Sequence, residues 1–184
     1  MNCVLGIDAS YHSSGWCLIN IEDGSLVKYG NILHEKNVAV GESLYNIAEK
    51  LYKLIKRYKV TNVAIEELNF SSNFKTSRSL LKVHGIIMYV VYKYLNQETI
   101  QYHNLTWRSR LGIKRPKKEL IGKSKKKAYQ TIILNGKKVK KDIKYMTVLK
   151  INEMYNLRLT YKDNDIADAI GIATVLYNEI KEIK

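Results

Sequence analysis

Hydrophobic and polar positions follow two periods along this chain, one typical of strands and one typical of helices. Apolar and β-branched runs predict strands over residues 3–8, 16–21, 26–33, 60–65 and 99–102. Apolar residues at three- and four-residue steps predict helices over 44–58, 76–95 and 165–180. Three strands come first, and helices then alternate with strands. This order predicts an α/β domain in which helices flank a mixed sheet.

The helix predicted over 76–95 is apolar on nearly every side. Its apolar residues include Leu80, Leu81, Ile87 and Val90, which point in different directions around the helix. A helix of this kind needs cover on two faces, and one sheet covers a single face. We therefore expect the second face to contact a partner subunit.

Positive charge is concentrated in one segment. The chain has a net charge of +14, and the segment from Arg108 to Lys150 holds sixteen Lys and Arg residues against two acids, Glu119 and Asp142. The rest of the chain is balanced, with fifteen residues of each sign. Such a surface neutralises phosphates and releases counterions, so the segregation favours a nucleic-acid partner over a lysine-rich loop kept for solubility.

The basic segment also contains a hairpin signal. Residues 129–134 are β-prone, Asn135-Gly136 is a strong two-residue hairpin turn, and a lysine-rich stretch follows at 137–141. We predict a basic β-hairpin over about 128–141, with a disordered basic loop as the alternative. The phosphate contacts predicted in the basic segment are Arg108, Arg110, Lys123, Lys125, Lys126, Lys127, Lys137, Lys138, Lys140 and Lys141.

Membrane-spanning and secreted classes are disfavoured by the sequence. No apolar run is long enough to cross a bilayer, and Asp8 interrupts the short apolar stretch at the N-terminus, which argues against a signal peptide. The two cysteines, Cys3 and Cys17, fit a reduced intracellular protein better than a disulfide scaffold. We expect a cytoplasmic protein with no membrane partner.

Four acidic residues stand where strands end or where a helix faces the core. Asp8 and Glu66 each close a predicted strand, and Asp165 and Asp168 lie one turn apart on the last predicted helix. Singly, most have ordinary explanations as a turn former, a solvated strand end or a helix cap. Asp168 lies among apolar positions, where an unpaired charge is costly. Together the four predict an oxygen-rich site for magnesium or manganese, because cations relieve the repulsion between carboxylates.

Three motifs resemble the RuvC family of Holliday junction resolvases. They are Gly6-Ile7-Asp8-Ala9-Ser10 with Ser14-Gly15-Trp16, the strand Ala64-Ile65-Glu66-Glu67, and the D-x-x-D-A helix from Asp165 to Ala173. The resemblance spans nearly the whole chain except roughly 114–145, which we interpret as a basic insertion in a single nuclease domain over 1–184. The stretch from Thr106-Trp107-Arg108 to Leu111-Gly112 is similar to the phage-type branch of the family.

The resemblance implies an RNase H-like fold, a homodimer and metal-dependent cleavage of branched DNA such as four-way junctions and forks. It implies two metal ions per active site, magnesium or manganese, held by Asp8, Glu66, Asp165 and Asp168. Glu67 stands where the family often has a neutral residue, so it is interpreted as a neighbour of the site.

Two features of the sequence depart from the family pattern. Ala9-Ser10 replaces the Pro-Gly that often follows the first Asp, and Asn69 replaces an aromatic that commonly lies three residues after the Glu. The only two phenylalanines, Phe70 and Phe74, lie close by. Both are candidate base-stacking contacts to DNA, with ordinary packing as the alternative.

Other functions fit the sequence less well. A sugar-kinase or actin-like ATPase would need a second, glycine-rich phosphate loop and roughly twice the length. A non-catalytic basic nucleic-acid-binding protein would explain the charge but not Asp168. A ribonuclease H acting on RNA–DNA hybrids shares the fold and the metal chemistry, so it remains the enzymatic alternative to a structure-selective DNA endonuclease.

Overall fold

A central sheet organises the computed structural model, which describes residues 1–10, 13–33, 38–68, 74–121, 126–134 and 136–183, without the side chains of 74–76, 120, 121 and 126. Its strands are β1 (Cys3–Asp8), β2 (Ser13–Asn20), β3 (Leu26–Leu33), β4 (Val60–Glu66) and β5 (Ile100–Tyr102). They lie in the order β3-β2-β1-β4-β5. The first three strands pair antiparallel, whereas β4 runs parallel to both β1 and β5. The mixed sheet is therefore confirmed.

Helices cover both faces of this sheet. They are α1 (Val40–Arg57), α2 (Phe74–Leu95), α3 (Asn104–Arg110), α4 (Ile143–Tyr155) and α5 (Asn164–Glu182). One apolar cluster packs α1 and α2 on the first face, and a second cluster packs α3, α4 and α5 on the other. Strand β1 shows why both faces are buried. Its residues Leu5 and Ile7 enter the first cluster and Val4 enters the second, because successive side chains point to opposite faces.

Helix α5 lies unusually close to the sheet because two strand residues have no side chain. A Cβ atom added at Gly6 would lie 2.4 Å from the backbone nitrogen of Ala173, and one added at Gly15 would lie 2.0 Å from the carbonyl oxygen of Asp165. No neighbouring backbone can accommodate such distances. The absence of a side chain at both glycines therefore allows the N-terminal half of α5 to pack directly against β1 and β2.

The two cysteines lie within the core. Cys3 and Cys17 are both fully buried, on opposite faces of the sheet, and both are free thiols. Burial raises the pKa of each thiol, and that of Cys17 is raised well above its usual value.

The basic segment forms two small antiparallel ribbons. The first pairs β6 (Glu119–Ile121) with β7 (Lys126–Ala128), and the second pairs β8 (Thr131–Leu134) with β9 (Lys137–Lys140). In the second ribbon Leu134 pairs with Lys137, and Gly136 has a φ of +74°, which glycine adopts without strain. The predicted hairpin is thus confirmed, although Asn135 of its turn lies outside the described residues.

The predicted element order was incomplete after β5. The sequence predicts a basic segment with one hairpin after β5, yet the residues from 104 to 155 also form α3, α4 and the β6–β7 ribbon. Helix α4 begins at an N-cap, where the Asp142 carboxylate accepts a hydrogen bond of 3.1 Å from the Tyr145 backbone N–H. Strand β2 also begins three residues earlier than the predicted start at Trp16, because Ser13 and Ser14 pair with Leu33 and Ile32 of β3. Among the described residues, no helix has the length and apolarity needed to cross a membrane.

Candidate active site

Two of the four acids lie at the ends of neighbouring parallel strands. Ile7 of β1 is in register with Ile65 of β4, so the next residues, Asp8 and Glu66, close the two strands side by side. Ala64 belongs to the cluster beneath α5, and side-chain alternation places Glu66 on the same face. The carboxyl ends of these strands thus direct two carboxylates toward α5.

The other two acids come from the beginning of α5. Asp165 lies in its first turn and is partly exposed, whereas Asp168, one turn later, is only 3% exposed. The close approach at Gly15 fixes the backbone of Asp165 against β2. The packing of α5 on the sheet therefore brings both carboxylates to Asp8 and Glu66.

All four acids line one open cavity of about 310 Å³. Basic side chains share its wall with them, so the cavity is lined by charges of both signs. The lining residues are Asp8, Ser10, Glu66, Asn104, Leu105, Arg108, Arg115, Ile143, Lys144, Asp165 and Asp168.

Helix α3 supplies the closest partners of two of these acids. The indole N–H of Trp107 donates a hydrogen bond of 3.0 Å to Oε2 of Glu66. Arg108 bridges two carboxylates, with Nη1 3.3 Å from Oε2 of Glu66 and Nη2 2.7 Å from Oδ2 of Asp168. The buried charge of Asp168 is thereby compensated, which resolves the energetic problem that its sequence position raised.

Lys144, in the first turn of α4, compensates the negative charge of Asp165. Its ammonium nitrogen lies 3.9 Å from Oδ1 of Asp165 and 2.5 Å from Oδ1 of Asn164. Because a lysine ammonium is a compact point charge, this exposed lysine also suits contact with a phosphate oxygen.

Burial raises the pKa values of three of these acids, and neighbouring carboxylates add to the increase for Asp8 and Asp168. Burial raises the pKa of Asp8 well above its usual range, and the charges of Asp168, Glu66 and Asp165 raise it further. Burial also raises the pKa values of Asp165 and Asp168, while Lys144 opposes the increase for Asp165 and Arg108 does so for Asp168. Buried acids that share one site and resist ionisation are typical of cation-binding sites.

The residues of this site suit a divalent cation in their donor chemistry. All four acids offer carboxylate oxygens, the donors that magnesium and manganese prefer. Asp168 Oδ1 is buried and has no hydrogen-bond partner among the described residues. Within the described part of the chain, no three Asp, Glu, His or Cys side chains are arranged closely enough to enclose a metal as they stand. Side-chain rotation at the partly exposed acids would have to close the site.

Several other titratable residues lie apart from the cavity lining. Glu67 is exposed, and its backbone N–H donates a hydrogen bond of 2.8 Å to the carbonyl oxygen of Tyr102. Asp163 forms a capping box with Thr160 ahead of α5. His103 caps α3 and His84 is buried in the core, so neither enters the site.

The predicted DNA contacts occupy different environments. Arg108 lies inside the carboxylate cluster, and Arg110 on the same helix is exposed and forms an ion pair with Glu179. Four of the predicted lysines are exposed: Lys127, Lys137, Lys138 and Lys140. Lys141 is partly buried. The other predicted contacts lie outside the described residues or have undescribed side chains: Phe70, Lys123, Lys125, Phe74 and Lys126.

Three further residues of the site were not singled out from the sequence. Trp107 contacts Glu66, and Lys144 lies near Asp165. Arg115 lines the cavity. Lys144 and Arg115 were counted in the basic segment, but nothing in the local pattern separated them from the other cations. Trp107 belonged to a motif that was noted only for its resemblance.

Comparison with known proteins identifies the family. The family model of the crossover junction endodeoxyribonuclease RuvC matches residues 4–175. The chain belongs to the RuvC family. It is 28% identical over 185 residues to RuvC of Ehrlichia ruminantium, covering 97% of this chain and 98% of that protein. It is also 37% identical over 94 residues to RuvC of Orientia tsutsugamushi strain Boryong, covering 50% of this chain and 58% of that protein.

Solved structures show the same fold. Thermus thermophilus RuvC in complex with a Holliday junction substrate has a TM-score of 0.71 and 14% identity, covering 97% of this chain and 96% of that one. The yeast mitochondrial Holliday junction resolvase has a TM-score of 0.54 and 13% identity, covering 98% and 84%. The predicted RNase H-like fold is therefore confirmed, and this RuvC-family protein is a crossover junction endodeoxyribonuclease.

Proposed function

We propose that this protein resolves four-way DNA junctions as a homodimer, by metal-dependent hydrolysis at Asp8, Glu66, Asp165 and Asp168. The observation that carries the proposal is the convergence of these four carboxylates, from two strand ends and one helix, on a single cavity. In a protein of the RuvC family, that cavity is the natural place for phosphodiester cleavage.

Two magnesium or manganese ions bound to these acids would activate the attacking water and stabilise the leaving 3′ oxygen. The protein contributes rigid supports for the carboxylates. Asp8 and Glu66 end paired strands, and Asp168 is held inside α5 by packing on the sheet. Ligands on strands and helices keep their geometry better than ligands on loops.

The basic residues around the cavity would hold the DNA. Lys144 and Arg115 line the same cavity as the acids, and the β8–β9 ribbon carries further exposed lysines, Lys137, Lys138 and Lys140. In this proposal these cations contact phosphates and make no contact with bases. They therefore position the DNA and do not recognise its sequence.

The homodimer rests on an exposed stripe of α2. Leu81, Gly85, Tyr89 and Tyr92 follow one another at steps of four, four and three residues, and all are exposed. The opposite face of the helix, with Ile87 and Val91, packs in the core. Tyrosine and leucine on one exposed face are typical of a subunit interface, and two symmetric nicks in a junction call for two equivalent active sites.

Two finer expectations belong to this proposal. We place the protein's action in the cytoplasm, on DNA with exposed branch points. The phage-type branch stays a prediction that rests on the motif from Thr106 to Gly112, while the relatives named above are bacterial RuvC proteins.

Cleavage of a labelled substrate panel tests the proposed function. The panel contains a four-way junction, a fork, a linear duplex and an RNA–DNA hybrid, each incubated with magnesium, with manganese or with a chelator. We expect paired nicks in the four-way junction with either metal and none with the chelator. Preferential cleavage of the hybrid would identify a ribonuclease H instead, and binding without cleavage of any substrate would favour a non-catalytic role.

A further inference from the structure

Two neighbouring residues of α3 converge on the same oxygen of Glu66. Trp107 Nε1 lies 3.0 Å and Arg108 Nη1 lies 3.3 Å from Oε2. Both donors therefore hold one side of this carboxylate, and they restrict its rotation more than either would alone. The other carboxylate oxygen, Oε1, takes no part in either of these bonds.

Asp168 is held in the same one-sided manner. Its Oδ2 accepts a hydrogen bond of 2.7 Å from Arg108 Nη2, a distance typical of a strong charge-assisted bond. Its Oδ1 is buried and has no partner among the described residues. A buried carboxylate oxygen without a partner is costly, so this oxygen is expected to gain a ligand in the working enzyme.

Arg108 itself is held in place from several sides. Its side chain is 8% exposed, and Nη1 also lies 3.3 Å from the carbonyl oxygen of Asn104. The guanidinium carbon lies 4.1 Å from the centre of the Trp107 ring, which is a cation–π stack. Trp107 is fully buried, and its ring packs so closely on Gly171 of α5 that a Cβ there would lie 2.4 Å away.

We propose that Arg108 is a positioning residue that clamps Glu66 and Asp168 by one oxygen each and turns their other oxygens toward the metal ions. The proposal rests on the metal site proposed above. The planar guanidinium suits this task because its two terminal nitrogens reach two carboxylates at fixed separation, which a lysine ammonium cannot do. Partners of this kind orient the ligands of a metal site and contribute strongly to its affinity.

Two other roles for Arg108 predict different results. A DNA contact would need an accessible guanidinium, whereas this one is buried and paired. A cation that merely fills the place of the metal would compete with it, so that its removal would tighten metal binding. The proposed clamp predicts the reverse, that removal of Arg108 weakens metal binding.

Calorimetric titration of the DNA-free protein with Mn²⁺ separates these roles. We expect Arg108→Ala to weaken Mn²⁺ binding by about ten- to a hundredfold, the usual range for such partners. Arg108→Lys keeps the charge but not the two-armed geometry, so we expect it to recover only part of the affinity. Arg110→Ala is the matched control, since it removes an arginine of the same helix that pairs with Glu179. We expect it to leave Mn²⁺ affinity unchanged.

Each alternative outcome has its own meaning. Equal or tighter Mn²⁺ binding by Arg108→Ala would overturn the clamp, and if that variant does not fold, wild-type affinity in Arg108→Lys would do so. If Arg108→Ala raised the KM for junction DNA and left the magnesium requirement unchanged, Arg108 would be a DNA contact. That result would also overturn the clamp. Failure of the wild-type protein to bind Mn²⁺ at all would overturn the proposed metal site, and the clamp with it.

Discussion

Glu66 and Glu67 are chemically identical neighbours with different environments. Glu66 ends β4 on the face covered by α5 and accepts hydrogen bonds from Trp107 and Arg108. Glu67 follows the strand and is exposed. Strand alternation alone accounts for this difference, because successive side chains point to opposite sides of a sheet. The pair therefore offers an internal control for the chemistry.

Neutral substitutions of the acids should stop cleavage without stopping binding. We expect Asp8→Asn, Glu66→Gln and Asp168→Asn each to reduce the cleavage rate by at least about a thousandfold, since each removes a proposed metal ligand. Junction affinity should stay equal or increase, because each change removes an anion from a site that faces phosphate. Single-turnover cleavage and a gel-shift titration without metal measure the two effects.

Glu67→Gln is the matched control for these substitutions, and we expect wild-type cleavage from it. If Glu66→Gln cleaved at the wild-type rate and Glu67→Gln did not, the assignment of the two residues would be reversed.

The four acids were predictable from sequence, whereas their partners were not. Asp8, Glu66 and the two acids of α5 stand at recognisable points of a strand or a helix. Arg108 and Trp107 lie about forty residues from Glu66 along the chain, and their pairing depends on how α3 packs on α5. No local pattern distinguishes such an arginine from the fifteen other cations of its segment.

Helix α5 belongs both to the core and to the site. From Ala167 to Leu176 every residue of it is buried, and Asp168 is one of them. Its distance from the sheet is set by Gly6 and Gly15. Any change that lifts α5 from β1 must therefore move the carboxylates as well.

Gly6→Ala tests this dependence. The added methyl would meet backbone atoms of Ala169 and Ala173, which cannot yield as a flexible side chain would. We expect a loss of about 3 kcal/mol in the free energy of unfolding and a marked loss of cleavage in the fraction that folds. Gly41→Ala is the control, because a Cβ there meets no atom within 4 Å and alanine favours a helix. Denaturant titration compares the two, and equal stability of the two variants would contradict this explanation.

The lysines of the β8–β9 ribbon should contribute to DNA binding through charge alone. Replacing Lys137, Lys138, Lys140 and Lys141 together with Ala should weaken junction binding at physiological salt. The slope of log affinity against log salt should fall by about 0.9 for each phosphate that the ribbon no longer neutralises. Cleavage at saturating protein should survive, because none of the four residues lines the cavity of the acids.

A matched control removes four cations of α1, on the opposite face of the sheet: Lys50, Lys53, Lys56 and Arg57. We expect it to change the salt slope little. An unchanged slope in the ribbon variant would show that the ribbon does not contact DNA.

Helix α4 shows where periodicity is a weak guide. Its apolar residues Ile143, Val148, Leu149, Ile151 and Met154 are spread around the helix, and Leu149 and Met154 are exposed. No single apolar stripe marks it, in contrast to α1, whose buried residues Ile47, Leu51 and Ile55 recur every four residues. The surrounding lysines further obscured α4, because they gave the segment the composition of a charged loop. Its local signals are its two ends, the cap at Asp142 and the left-handed Asn156 that follows the last turn.

In the whole protein, the proposed DNA contacts and the proposed subunit interface lie on opposite faces of the sheet. The acids and the basic segment belong to the face covered by α3, α4 and α5, and the exposed stripe of α2 belongs to the other. A subunit interface on α2 would therefore leave both active sites open to DNA.

Gly85→Arg tests this interface. A side chain at Gly85 meets open space in the monomer, and arginine favours a helix more than glycine does, so the fold should be unaffected. In a dimer the same side chain would place a charge in the middle of the apolar stripe. Light scattering at micromolar concentration should give a dimer for the wild type and a monomer for Gly85→Arg.

Asn178→Arg is the control, since it adds the same side chain to an exposed position of α5 on the other face. We expect it to remain a dimer. A wild-type protein that is monomeric both with and without junction DNA would exclude the homodimer.

The burial of both thiols has a practical consequence for measuring motion. Reaction with a maleimide dye requires an accessible thiolate, and neither Cys3 nor Cys17 offers one in the folded protein. A single cysteine introduced at the exposed Lys138 would thus take a fluorophore with no need to remove the native pair. The distance between such a dye and one on a junction arm would report, molecule by molecule, when the ribbon engages DNA relative to each nick.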